Sequence, residues 1–325
     1  MAKRSRSVLV TGGSGFIGSQ LVAALAADRG DLESLVSLDV RRVPEGERLP
    51  GVVYATGDIR GPEVAELLHE HAVDTVAHLA AIVTPGKQTS RELLHSIDVG
   101  GTENVLVACL AAGVRRIIVT SSGAAYGYYA DNAQPLCEDD PIRGNAEFAY
   151  SDHKRLVEEM LARHREQHPE LEQLIFRPGT ILGANANNQI TALFDGPVVL
   201  GVSGSDTPFV FIWDQDVVGC LVKGVRGGRA GIYNLAGDGV MTLAEIAAVI
   251  GKRVVSVPAW LIQGVLAALH PLGLSQYGPE QVDFLRYRPV LSNARLKSEF
   301  GYEPRKSSRE VFDFFWSQRT PPGHS

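Results

Sequence analysis

Tyr150 and Lys154 stand four residues apart in the stretch 147–160, EFAYSDHKRLVEEM. If that stretch is helical, both side chains share one face. A phenol with a pKa near 10 is a poor base at neutral pH, but an ammonium group beside it favours the phenolate and makes proton transfer feasible. The same spacing is common on solvated helix surfaces, so the pair gains meaning only from what surrounds it. A second candidate opens the chain: Thr11-Gly12-Gly13-Ser14-Gly15-Phe16-Ile17-Gly18. Glycines there permit a tight turn, let the backbone approach a pyrophosphate and let a helix pack close to a strand. The helix start then offers unpaired N–H groups to phosphates. This assigns Gly12, Gly15, Phe16, Ile17 and Gly18 to a dinucleotide. Asp39 ends the next apolar run, where a carboxylate accepts hydrogen bonds from ribose hydroxyls and repels a 2′-phosphate. NAD is therefore favoured over NADP, although Arg41 and Arg42 keep a phosphate-tolerant reading open.

These residues need a scaffold, and the alternation of runs supplies one. Apolar stretches at 7–11, 35–39, 52–58, 74–81, 115–122 and 171–178 read as strands. Helical patterns at 16–28, 62–71, 92–113 and 150–168 separate them. Strands apolar throughout, joined by helices, imply a parallel sheet covered on both faces. The fold class is α/β, a doubly wound parallel (Rossmann) sheet, with its ligand beyond the carboxyl ends of the strands. After Pro178 the rhythm breaks: Gly and Asn become frequent, and helical patterns return at 242–251 and 258–269. We expect a dinucleotide-binding domain over 1–178 and a smaller C-terminal substrate-binding lobe over most of 179–325, with 213–236 packing back on the sheet.

The chain has 325 residues, 45% hydrophobic and 21% charged, which is a soluble globular composition. A net charge of -6 argues against a nucleic-acid partner. No run of about 18 apolar residues occurs, and the nearest, 257–274, is broken by Pro258, Gln263 and His270. Cys109, Cys137 and Cys220 are widely spaced and lack CxxC spacing, which fits free thiols in a reducing cytoplasm and no metal site.

Taken together, the markers resemble the extended short-chain dehydrogenase/reductase superfamily, which includes nucleotide-sugar epimerases and dehydratases. The resemblance covers most of the chain and its segments come in order. After the glycine motif, Gly57-Asp58-Ile59-Arg60 matches the adenine-contacting motif. His78-Leu79-Ala80-Ala81 matches the segment lining the cofactor, and residues 98–104, DVGGTEN, resemble the family's NVxGTxN. Thr120-Ser121-Ser122, Tyr150 with Lys154, and Arg177-Pro178-Gly179 follow. The resemblance implies that Asp58, Ile59, Leu79, Ala80, Ala81 and Pro178 join Tyr150 and Lys154 around NAD. It also implies that Tyr150 is the general acid/base, that Lys154 tunes it and binds the nicotinamide ribose, and that Ser122 orients the reacting oxygen. Ser121 is expected to face the sheet side.

The departures are as informative. Asp98 replaces the usual Asn, and His153, before Lys154, replaces a usual Ser and reads as exposed helix. Thr180 stands where epimerases commonly carry Asn. In 208–214, PFVFIWD, Phe209 replaces a diphosphate-gripping arginine and Trp213 a histidine. These two either pack or meet substrate. Arg286 or Arg288 could supply one phosphate contact. Gly123, Thr180, Phe209, Trp213 and Arg288 are the expected substrate positions, and with the apolar helix at 258–269 they point to a less charged, more hydrophobic small molecule. The expected function is NAD-dependent hydride transfer at a secondary alcohol or ketone through Ser122, Tyr150 and Lys154. The rivals are a UDP-glucose-type 4-epimerase that retains NAD, and a non-catalytic NAD-binding regulator. By analogy, helices 92–112 and 150–168 would pair to form a homodimer.

Overall fold

Ser7–Thr11, SVLVT, is buried at all five positions and forms β1, an interior strand of the sheet. The computed structural model describes residues 6–84, 86, 89–205, 208–269, 272, 278–279 and 281–319. After β1 come α1 (Phe16–Ala27), β2 (Ser34–Asp39), β3 (Val53–Thr56), α2 (Glu63–Glu70) and β4 (Thr75–His78). They are followed by α3 (Arg91–His95), α4 (Gly101–Ala111), β5 (Arg116–Thr120), α5 (Ala149–Gln167) and β6 (Glu172–Pro178). Next come β7 (Thr180–Leu182), α6 (Gln189–Ala192), β8 (Val199–Val202), β9 (Phe211–Trp213), α7 (Asp214–Val225) and β10 (Gly231–Leu235). The chain closes with α8 (Leu243–Val249), β11 (Val254–Val257), α9 (Ala259–Leu269), α10 (Gln281–Arg286) and α11 (Ser308–Ser317).

Seven strands form one sheet in the order β10-β6-β5-β4-β1-β2-β3, all parallel. Side chains alternate between its faces even though both are covered. Leu9, Val36 and Val76 pack with Leu68, Leu106 and Leu161 from α2, α4 and α5. Val8, Val10, Ile118 and Phe176 pack on the other face with Leu21 from α1 and Leu221 from α7. Each buried aliphatic chain contributes about 1.5–3 kcal/mol, enough in sum to fix which residues point which way. The chain runs β1, β2, β3 outward and then crosses back to place β4 beside β1. The connections leaving the carboxyl ends of β1 and β4 run to helices on opposite faces of the sheet, α1 on one and α4 on the other, and leave between them the crevice where such sheets bind ligands.

The pattern at 92–113 reads as a single helix, but it divides. Between α3 and α4, Ser96–Gly100 widens into a π turn. Gly101 there lies so close to Ile59 that a Cβ would come within 2.4 Å of its Cδ1. The widened turn also directs the Asp98 carboxylate to the backbone N–H of Ile82, 3.0 Å away.

Beyond Pro178, β7 pairs with β9 and β8 with β11 in two small parallel sheets. A separate core of Leu182, Phe194, Phe209, Phe211, Ile246, Phe312 and Phe315 holds this region together. Strand β10 instead joins the large sheet beside β6. Helix α7 lies against α1, where Gln20 Nε2 donates to Asp214 Oδ2 at 3.2 Å. Among the described residues no helix is long and apolar enough to cross a membrane, and no group of three or more His, Cys, Asp or Glu could hold a metal.

Candidate active site

The loop after β1 is built for close approach. Gly12 has φ +69°, and a Cβ on it would lie 2.8 Å from the backbone N of Ala80. A Cβ on Gly18 would sit 2.0 Å from the Gly12 carbonyl oxygen, so α1 can start here only with glycine at that position. Asp39 holds the loop from below: Oδ2 accepts from Ser14 N–H and Oδ1 from Arg41 N–H, both at 2.9 Å. The Arg41 guanidinium donates to the Ser14 carbonyl at 2.7 Å. A cradle with no room for side chains, closed by a carboxylate, fits the pyrophosphate and diol ribose of NAD.

His78 ties the cradle to α4. Thr102 Oγ1 donates to the Asp98 carbonyl at 2.6 Å. It must therefore accept from His78 Nε2 at 3.0 Å, which leaves Nδ1 to accept from Thr11 Oγ1 at 2.8 Å. Burial pushes His78 down to about 3, so the ring is neutral and serves as a spacer between β1, β4 and α4. Asn104 completes the brace by donating to the carbonyls of Ile59 (2.7 Å) and Gly61 (3.0 Å).

A cavity of about 400 Å³ opens above the carboxyl ends of the strands. Gly12, Gly15, Phe16, Ile17 and Gly18 line it, with Leu79, Ala81 and Pro178 from the other strand ends. Ser122, Tyr150 and Lys154 meet in its wall. Ser122 caps the turn after β5, its Oγ accepting from Ala124 N–H at 3.1 Å. The hydroxyl of Ser121 is turned away to Glu158, 2.6 Å off. Lys154 lies under the Tyr150 ring, its Nζ 5.8 Å from the centroid, and donates to the Thr120 carbonyl at 3.0 Å. Burial pushes Tyr150 up to about 12; the Ser122 hydroxyl opposes the rise and the Asp98 carboxylate adds to it. Lys154 is lowered by burial against the pull of Asp98 and Glu158. The phenol is thus protonated at rest, and extra positive charge in the cavity would favour its ionisation.

Asp39, Asp58, Ile59, Ala80 and Trp213 do not line this cavity. Asp58 is held by Arg60 at 2.6 Å. Ile59 packs in the sheet core, and Ala80 contributes its backbone N–H to Thr11 Oγ1 at 3.4 Å. Trp213 corrects the expectation of a substrate contact. Its ring packs edge-on against Phe314, with Arg305 and Lys306 4.6 and 4.7 Å from its centroid. Two neighbouring cations and the second core hold it away. The apolar helix α9 likewise contributes nothing to the pocket: none of its residues lines the cavity or is buried, and Trp260 is 72% exposed.

Gly123, Thr180, Phe209 and Arg288 do line the cavity. Arg288 is 7% exposed, and its guanidinium carbon lies 4.2 Å from the Phe209 ring centre and 4.7 Å from that of Phe284. Nε and Nη2 are buried without a partner among the described residues. Burial pushes this arginine down to about 10 against the pull of Tyr128, which still leaves it charged at neutral pH. Sequence reasoning missed Tyr128, Phe148 and Phe284, which complete an aromatic wall from Arg288 to Tyr150. It also missed Asn185, Asn187 and Asn188, which line the same cavity. The four-residue spacing of Phe284 and Arg288 is the one local hint.

His153 is not exposed. It is 2% exposed, and its Nδ1 lies 3.3 Å from Asp98 Oδ2. The two departures at 98 and 153 are therefore one buried pair, packed behind Lys154.

Comparison with known proteins agrees with this fold. The family model described as "NAD dependent epimerase/dehydratase family" matches residues 8–196. A UDP-glucose 4-epimerase of Mycolicibacterium smegmatis is 28% identical over 320 residues, 93% of this chain and 95% of that one. An uncharacterized protein of Mycobacterium tuberculosis is 26% identical over 96% of this chain and 84% of its own length. Among solved structures, the Bordetella bronchiseptica enzyme WbmG in complex with NAD and UDP superposes with a TM-score of 0.73 at 18% identity, covering 97% of this chain and 94% of that one. A short-chain dehydrogenase/reductase superfamily protein from Agrobacterium tumefaciens with bound NAD gives 0.72 at 22% identity, covering 97% of each.

Proposed function

The chain belongs to the NAD dependent epimerase/dehydratase family, and on that premise we propose that it is an oxidoreductase transferring a hydride between NAD and a secondary alcohol or ketone. One observation carries the reading: Ser122, Tyr150 and Lys154 face the same cavity as the glycine cradle. Gly12, Gly15 and Gly18 would hold the pyrophosphate and Asp39 would exclude a 2′-phosphate. When bound, NAD supplies the hydride acceptor and, oxidised, a positive charge. The chain supplies the rest. Ser122 donates a hydrogen bond to the reacting oxygen and fixes it beside Tyr150. The Tyr150 phenolate takes the hydroxyl proton as the carbon becomes a carbonyl, and the phenol returns it in the reverse direction. Lys154 stabilises the phenolate charge and would hold the nicotinamide ribose.

The test is Tyr150→Phe. Turnover should fall by about 10²–10⁴-fold, while NADH binding, read by fluorescence, stays within about twofold, because the phenol oxygen is not a cradle group. A variant that turns over normally sinks the assignment.

A second reading is a nucleotide-sugar 4-epimerase, supported by the 28% identical Mycolicibacterium smegmatis relative that matches across nearly its whole length. Denaturing the purified protein separates the two. Stoichiometric released NAD together with UDP-glucose/UDP-galactose interconversion supports the epimerase, whereas freely exchanging NAD without sugar interconversion supports the dehydrogenase. The proposed assembly is a cytoplasmic homodimer through α4 and α5, supported by the exposed Val107 of α4. Sedimentation of Val107→Glu as a monomer would bear it out.

A further inference from the structure

Apart from Lys154, one charged side chain lines the cavity among the described residues, and it is Arg288. Among those residues no Asp or Glu lines it. A guanidinium that serves the fold is met by carboxylates or carbonyls. This one lies over two phenyl rings, and its Nε and Nη2 are unmet among the described residues. Stacking fixes the plane of the fork and leaves its edge for an anion. The ring that does this, Phe209, is itself fully packed at 2% exposure and stacked on Phe211, so it cannot yield to a second polar group. From the guanidinium, Phe284 leads to Phe148, with ring centres 5.4 Å apart, and Phe148 to Tyr150, 6.2 Å away. The region between the free cation and the acid/base is therefore floored by aromatic faces.

Resting on the hydride-transfer reading above, we propose that the substrate carries a single acidic group, a carboxylate or a phosphate monoester, gripped by Arg288. An apolar segment lies across Phe148 and Phe284, and the alcohol or ketone carbon is presented to Tyr150. A diphosphate does not fit this arrangement. Its second phosphate would meet Phe209, and a buried charge without a partner is costly. Lys154 is not available as that partner, since it is engaged with the Thr120 carbonyl beneath Tyr150.

The test measures binding without turnover, so it can fail independently of the hydride-transfer reading. Full-length Tyr150→Phe protein saturated with NAD is titrated calorimetrically with 4-phenylbutyrate, 4-phenylbutyramide, phenyl phosphate, UMP and UDP. At least one of 4-phenylbutyrate and phenyl phosphate should bind roughly tenfold tighter than the neutral amide, because a buried charge-assisted fork discriminates against it. Whichever is the tighter identifies the acidic group. Adding Arg288→Met should remove that preference and leave the amide unchanged, and Arg288→Lys should restore only part of it. UDP should bind no tighter than UMP. The proposal is overturned if the amide binds as well as both anions, if UDP exceeds UMP tenfold, if Arg288→Met leaves the preference intact, or if no anion binds. Retained NADH binding by the Arg288 variants shows that they are folded.

Discussion

Arg177 and Arg288 are both buried cations, 3% and 7% exposed, yet they are treated in opposite ways. Arg177 ends β6 and spends its donors within the fold. Nε reaches Glu158 at 2.8 Å, and Nη1 reaches the Tyr126 hydroxyl at 2.8 Å and the Glu138 carbonyl at 2.9 Å. Glu158 and Tyr126 hold its charge above the ordinary arginine range despite burial. Arg288 has two phenyl rings and no carboxylate among the described residues, and is held below that range. Cation–π stacking is worth about 0.5–2 kcal/mol, whereas desolvating an ion costs several. The difference marks Arg177 as part of the scaffold and Arg288 as a group left for a ligand.

Removing each arginine should therefore have opposite effects on stability. Arg177→Met leaves Glu158 buried without its cation and should cost about 3–5 kcal/mol, read by urea unfolding. Combining it with Glu158→Gln should recover part of the loss. A cost below about 1 kcal/mol would break the comparison, because a satisfied buried pair cannot lose one member so lightly.

His78 sharpens it as a buried group that avoids charge altogether. Its folded pKa of about 3 lies below the ordinary 6.5, so between these values the unfolded chain binds a proton that the folded one refuses. The stability it contributes is present above pH 6.5 and lost as pH falls toward 3, by about 1.4 kcal/mol per unit. His78→Gln should flatten the acid limb of a stability-versus-pH series, and an unchanged slope would place the acid lability elsewhere.

Asp98 is the nearby carboxylate that raises both Tyr150 and Lys154. Asp98→Asn should move the acid limb of kcat/KM for alcohol oxidation to lower pH, by up to about one unit. A purely structural carboxylate would change the rate without moving that limb.

The smallest effect belongs to Arg288→Met. With no carboxylate among the described residues stranded by its loss, the protein should be unchanged or stabilised by about 1 kcal/mol, even as anion binding disappears. A loss as large as that of Arg177→Met would mean that its rings conceal a structural role.

The sequence determined the sheet, its parallel sense and the cofactor-side loop. Those depend on short-range features: β1 has an unbroken apolar centre, Val8 to Val10, glycines stand where a Cβ would strike Ala80 or the Gly12 carbonyl, and Tyr150 and Lys154 are one helical turn apart. Only the tertiary structure decided that Asp98 and His153 are a single pair, since a π turn and a helix 55 residues apart must meet for their 3.3 Å contact. It alone turned Trp213 away from the pocket, left α9 outside it and set Phe209 face-on to Arg288. Beyond Pro178, short irregular elements carry no period, and which side chains share a cavity there depends on how segments distant in the chain pack together.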